Sequence, residues 1–327
     1  PLYSSAASDV YKRQIQGCVL FVGFMVLMLL MLYQFGPISA ATEVIAQTSE
    51  PEKIIRPDAS MQREWLSYIL LVGIGGALYP QAIQRMYSAK SIGTLKQSFA
   101  TMAFMPFFSV LIAFIVGIYA LAYVPGREGA DADQAMSSIL RIIQEQSILG
   151  YALVVLIFSA VLAALMSTAD SAMLSISSMF IKDIYAVHFR PSATESELTK
   201  MGKRCSWIIV GALTMLAIIL KEQTSLIGLL DRKFDLLVQI APAFMVGIRW
   251  MGLRTGPVLI GLVVGLAIAL SLAFGPFDFI VEGKVWGFHP GIYGLVVNLS
   301  IAVFGSLWLV KQGGADNRTS FIATSNK

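Results

Sequence analysis

The chain predicts an all-α, polytopic membrane protein. Its composition is 56% hydrophobic against 13% charged, with a mean hydropathy of +0.72. Soluble domains run roughly 45–50% apolar and about 25% charged. Apolar runs recur at the length needed to cross a hydrocarbon core, about twenty residues for about 30 Å. These runs are too continuous for the in-and-out alternation of a membrane barrel. The formal charge of +4 is small, and the basic residues sit mainly at the ends of the apolar runs. They read as topology markers rather than a nucleic-acid surface. Cys18 and Cys205 lie within apolar runs and form no metal or disulfide pattern. His188 and His289 are far apart in sequence and predict no metal site.

About eight transmembrane helices follow, at 15–36, 65–85, 100–124, 148–180, 205–221, 232–251, 256–275 and 290–310. Residues 1–14 are rich in serine and alanine, start without Met and lack the apolar stretch of a signal peptide. They read as a disordered or foreign tail, and the chain as a fragment. The 38–64 and 126–147 connections have mixed charge and room for short surface helices. Asp131, Asp133 and Glu145 lack EF-hand spacing and serve solubility. In the 65–85 run, Tyr79-Pro80-Gln81 follows Gly75-Gly76. Pro80 removes an N–H and disturbs the turn before it, freeing backbone carbonyls. The 148–180 run is longer than one crossing, and 182–204 is predicted to be its connecting loop. A polar tail, 311–327, closes the chain.

Basic residues choose the sides. Lys12, Arg13, Arg85, Lys90, Lys96, Lys182, Arg190, Lys200, Lys203, Arg204, Arg249, Arg254 and Lys311 fall on one side if each span crosses once. By the positive-inside rule that side is cytoplasmic.

The stretch with most chemical content is Ala163-Ala164-Leu165-Met166-Ser167-Thr168-Ala169-Asp170-Ser171. A carboxylate inside a span is costly unless it faces protein or water, so Asp170 reads as part of a conduction path and is predicted to face the bundle interior. Ala164, Thr168, Ser171, Ser175 and Ser178 form a small-residue ridge at helical spacing. Such a ridge admits another backbone and offers oxygens to a hard cation such as sodium. Two readings stay open here. The ridge is a cation site, or it is a packing seam whose hydroxyls bond carbonyls one turn back.

Three blocks together resemble the sodium:solute symporter family. The first runs from Gly75 to Ser91, with Gln84-Arg85 and Ala89-Lys90-Ser91. The second runs from Ala163 to Tyr185, with Met-Ser-Thr-Ala-Asp-Ser and Lys182-Asp183-Ile184-Tyr185. The third runs from Pro242 to Gly265. The resemblance implies a partial inverted-repeat (LeuT-like) transporter fold over 15–310, comprising core helices five to ten and two peripheral helices. Core helices one to four are expected to be missing.

For function, the resemblance implies sodium-coupled symport of a small organic solute, such as an amino acid or carboxylate, across a bacterial cytoplasmic membrane. It implies sodium ligands at Ala164 (carbonyl), Ser167 and Thr168 (hydroxyls), with Asp170 and Ser171 at positions of a second sodium site. It implies solute contacts from Tyr79, Gln81, Gln239 and Phe244. Sugar-type members carry Asn and Tyr near Pro80–Ala82 and a Lys near Pro106; this chain has neither that Asn nor that Lys, which disfavours a sugar. No cofactor beyond the coupling ion, no enzymatic activity and no nucleic-acid partner are expected; the lipid bilayer is the other partner. The competing readings are a membrane sensor or receptor with a transporter-like domain, and a proton-coupled transporter.

Overall fold

The computed structural model describes residues 2–47, 51–87, 89–220, 224–281 and 283–312. From 313 onward the predicted polar tail lies outside them. The chain divides into two compact units, Pro1–Ile55 with Arg85–Leu226, and Arg56–Gln84 with Ile227–Lys327.

The first unit holds α1 (Leu2–Phe35), α2 (Ile38–Gln47), α5 (Ile92–Tyr123), α6 (Ala135–Gln146), α7 (Ile148–Met179) and α8 (Glu195–Leu220). The backbone is helical from Leu2, through the stretch expected as a disordered or foreign tail. Propagating an existing helix costs far less than nucleating one, so a polar lead-in follows an apolar span readily. The surface helices allowed for in the two outer connections are α2 and α6. Ile139, Leu140 and Ile143 of α6 are buried, as are Ala41 and Ile45 of α2. They join a core built by Leu27 and Met31 of α1, Ile112 to Ala122 of α5, and Leu153, Val154 and Ile157 of α7. Tyr123 stacks on Phe35 at 4.5 Å and donates its hydroxyl to the Phe35 carbonyl at 3.1 Å.

Helix starts follow local chemistry. Ser91 and Ser147 accept from the N–H groups of Thr94 and Gly150, capping α5 and α7. Thr194 and Glu197 form a reciprocal capping box, at 3.0 and 3.4 Å, that starts α8. This corrects the predicted 182–204 loop. A π-helical stretch, Phe180–Phe189, prolongs α7, and only the short link to Glu195 is irregular.

The second unit holds α3 (Ala59–Gly76), the first turn of α4 (Pro80–Tyr87), α9 (Leu226–Leu237), α10 (Gly247–Arg249), α11 (Thr255–Phe274) and α12 (Pro290–Lys311). A hairpin of β1 (Ile280–Val281) and β2 (Lys284–Val285) joins α11 to α12. Every fourth residue is buried on both helices: Pro257, Gly261, Gly265 and Ala269 on α11, and Pro290, Gly294, Asn298, Ala302 and Ser306 on α12. The helices meet along these small-residue stripes, the packing that membranes favour. At the crossing, a Cβ on Gly294 would lie 2.5 Å from the Gly265 carbonyl oxygen.

Among the described residues, six helices are long and apolar enough to cross a membrane: Gln14–Phe35, Ile92–Tyr123, Ile148–Phe189, Glu195–Leu220, Thr255–Phe274 and Pro290–Lys311. The other two predicted spans, 65–85 and 232–251, are not continuous helices. The first breaks between Gly76 and Pro80. The second passes from α9 through a 3-10 turn (Val238–Ile240) and a π turn (Pro242–Val246) into α10. Pro80 opens α4 and Pro242 opens the π turn, first-turn positions that tolerate a missing N–H.

Candidate functional site

On α7 the five predicted cation ligands, from Ala164 to Ser171, fall within about two turns. Thr168 donates its hydroxyl to the Ala164 carbonyl at 2.9 Å, and Ser171 donates to the Ser167 carbonyl at 3.0 Å. Both packing-seam bonds anticipated from sequence are therefore present. They also bring hydroxyl and carbonyl oxygens together within one turn, the arrangement a hard cation needs. Ala164, Ser167 and Ser171 are half-buried, while Thr168 and Asp170 are exposed. Asp170 is thus not turned into the first unit's core. Buried residues of α7 lie towards its ends, at 150–160 and at Ser175 and Ser177.

The predicted solute residues lie at the two broken segments of the second unit. Leu78 donates its N–H to Gly75, closing α3, and Ala82 and Ile83 donate to the Tyr79 carbonyl, opening α4. Pro80 occupies the first position of α4, where its absent N–H costs nothing and its fixed φ suits a helix. Tyr79 packs edge-on to Phe234 at 6.1 Å. The Lys233 ammonium lies 5.0 Å from the Tyr79 ring centre. Gln81 and Phe244 are half-buried.

Gln239 is wholly buried, and its amide donates to the carbonyls of Asp235 at 3.1 Å and Gly291 at 2.9 Å. Asn298 donates to the Gln239 carbonyl at 2.7 Å. These side chains tie the 3-10 and π turns of the 232–251 segment to α9 and α12.

A buried polar network in the second unit escaped the sequence reading. Asp231 Oδ2 lies 3.0 Å from Lys284 Nζ and 3.5 Å from His289 Nε2. Lys284 Nζ also reaches Glu64 Oε1 at 3.2 Å. His289 Nδ1 bonds the Ser67 hydroxyl at 2.6 Å. Ser67, His289 and Asp231 therefore line up like a hydrolase triad. Ser67 has no exposed surface, and its hydroxyl also lies 2.9 Å from the Glu64 carbonyl. A closed-off hydroxyl cannot reach a substrate, and the line acts as a strut between α3, α9 and the hairpin. The available signal was the charge block Asp231-Arg232-Lys233-Phe234-Asp235 at the edge of an apolar run. Two carboxylates one turn apart there need partners from elsewhere.

Six helices among the described residues that are long and apolar enough to cross a membrane define a multi-pass membrane protein. The sodium:solute symporter family profile matches residues 6–265, and the chain belongs to that family. The high-affinity proline transporter PutP of Bacillus subtilis (strain 168) is 26% identical over 216 residues, covering 64% of this chain and 44% of its own length. The human high affinity choline transporter 1 is 27% identical over 311 residues, covering 89% of this chain and 49% of its own length. The chain thus spans about half the length of these relatives. A solved structure of a Na+-coupled sialic acid symporter superposes with a TM-score of 0.66 at 23% identity. It covers 93% of this chain and 62% of that one, and supports the same fold.

Proposed function

We propose that the protein of which this chain is part carries a small organic solute inward together with sodium. The observation that carries this reading is the Thr168 hydroxyl held 2.9 Å from the Ala164 carbonyl oxygen. With the Ser167 hydroxyl one residue away, three oxygens that can turn to a sodium ion lie within about one turn. Asp170 and Ser171 supply a charge and a further hydroxyl for a second ion. The transporter domain runs over 15–310, and the membrane is a bacterial cytoplasmic membrane, crossed several times.

Tyr79, Gln81 and Phe244 contact the solute at the two irregular segments. Gln239 holds the 232–251 break in shape beneath them. Lys233, beside Tyr79, favours a solute bearing a carboxylate, such as an amino acid, over a cationic one such as choline. The proline transporter among the relatives supports that class.

The test is uptake by the complete gene product in proteoliposomes. Labelled proline, and choline as comparison, are offered with and without an inward sodium gradient. Sodium-driven uptake of the carboxylate solute is expected. Uptake that ignores sodium and follows a proton gradient instead would overturn the coupling assignment.

A further inference from the structure

We infer that the turn between α7 and α8 binds the phosphate of an anionic phospholipid in the cytoplasmic leaflet. A cleft of about 200 Å³ there is lined by Tyr185, Arg190, Glu197, Lys200 and Arg204 among others. Three cations and one carboxylate share it. Charges that only set topology need no common cleft; the rule counts them loop by loop. Here the backbone gathers them. Arg190 donates its N–H to the Tyr185 carbonyl at 2.9 Å, ending the π-helical stretch, and Ala193 donates back to Arg190 at 3.1 Å. The capping box then starts α8, with Glu197 Oε2 accepting from both the N–H and the hydroxyl of Thr194.

The helix beyond the cleft fixes its depth. Lys200, Arg204, Trp207 and Gly211 follow one another at spacings of three and four, a single stripe along α8. Trp207 is 76% exposed and Ile208 72% exposed, and α8 buries no residue in its unit. Tryptophan marks the membrane–water interface. Arg204 and Lys200, one and two turns before an exposed Trp, therefore lie at headgroup level, and the apolar stripe beyond them suits acyl chains. A neighbouring groove of about 330 Å³ between α7 and α8 combines Leu174, Ile181 and Leu198 with Lys182 and Lys203. It repeats the pairing of cation and apolar wall. Free phosphate shares the headgroup's chemistry but has no use for the apolar stripe, so the lipid is the ligand we commit to. The assignment is independent of the transported solute.

The experiment titrates the delipidated, complete protein in detergent with phosphatidylglycerol or with phosphatidylcholine of the same acyl chains, counting bound lipid by native mass spectrometry. Wild type is expected to bind phosphatidylglycerol about tenfold more tightly or better, since each interfacial cation adds to attraction for anionic lipid. The triple variant Arg190→Gln, Lys200→Gln, Arg204→Gln is expected to lose that preference, and a Lys90→Gln, Lys96→Gln control to keep it. Glu197→Gln retains a capping side chain and removes the one anion, so it is expected to strengthen the preference even if the triple variant folds poorly. Equal affinity of wild type for the two lipids would overturn the inference. So would a preference untouched by both the triple variant and Glu197→Gln. Displacement of the lipid by equimolar inorganic phosphate would assign the cleft to a soluble anion instead.

Discussion

The backbone N–H of Gly291 donates to Asp235 Oδ1 at 2.7 Å, tying the start of α12 to α9. The other carboxylate oxygen takes Arg232 Nη1 at 3.0 Å. The approach is close enough that a Cβ on Gly291 would lie 2.6 Å from the Asp235 Cα.

Gly291→Ala should therefore push α12 away from α9. Overpacking of this kind costs about 1–3 kcal/mol. Asp235→Ala should cost about 3–5 kcal/mol, because it strands a buried N–H and leaves the guanidinium without its partner. Asp235→Asn keeps an acceptor for Gly291 and should fall between wild type and Asp235→Ala. Thermal unfolding of the detergent-solubilised protein reads all three, and the order Ala below Asn below wild type at position 235 is the expected result.

Lys284 bridges Asp231 and Glu64, so its loss should leave the two carboxylates without a shared cation. Lys284→Met alone is expected to destabilise by about 3 kcal/mol or more. Removing the Asp231 charge as well should return part of that loss. The double-mutant cycle of Lys284→Met with Asp231→Asn should show a coupling of about 1 kcal/mol or more, as contacting residues in one network do. Additive effects would mean that the pair contributes nothing as a pair.

Lys233→Gln is expected to weaken uptake of a carboxylate solute by about tenfold, roughly 1.4 kcal/mol, with little change in protein abundance. Lys233→Arg should retain most of the affinity. The measurement is the KM for labelled proline at saturating sodium. A KM unmoved by Lys233→Gln would separate the ammonium beside Tyr79 from solute recognition.

Much of this architecture is written in local sequence. Gly75, Gly76 and Pro80 announce the break in the 65–85 span because each acts on its own backbone. The α11 stripe is equally local, with Gly261 and Gly265 four apart. The hydroxyl ridge on α7 and its bonds to carbonyls one turn back follow from helical spacing alone. What escaped notice is what long-range pairing decides. His289 meets Ser67 across 222 positions, and Lys284 meets Asp231 across 53. No window of sequence contains either pair. Gln239 looks polar and available in sequence, yet its partner Gly291 lies 52 residues away and takes its amide inside the unit. The charges of the 182–204 segment predict a loop because they mask the Thr194–Glu197 capping box.

Asp170 is exposed on α7, so its role is separable from folding of the first unit. Asp170→Asn preserves shape and removes the charge. If the carboxylate balances a sodium ion, the complete protein should need about tenfold more sodium for half-maximal uptake, a loss of roughly 1.4 kcal/mol, at normal abundance. If it pairs with a structural partner, abundance should fall while the surviving protein keeps normal sodium dependence. Wild-type behaviour in both respects would make it a bystander in water.

Thr168 gives the sharpest test of the sodium assignment, because its hydroxyl already has a partner. In the packing-seam reading the bond to the Ala164 carbonyl is all it does. Thr168→Ala then removes a second donor from a carbonyl that keeps its helical N–H bond, changes stability little, and leaves the sodium response alone. In the cation reading the hydroxyl and that carbonyl both turn to the ion. Thr168→Ala then removes one of its oxygens, and the sodium concentration for half-maximal uptake should rise about tenfold, roughly 1.4 kcal/mol. Thr168→Ser restores the oxygen without the methyl group and should restore the response. Ser167→Ala should act in the same direction. A sodium dependence unchanged in both alanine variants, at any level of stability, would leave the ridge as a seam and move the coupling ion elsewhere.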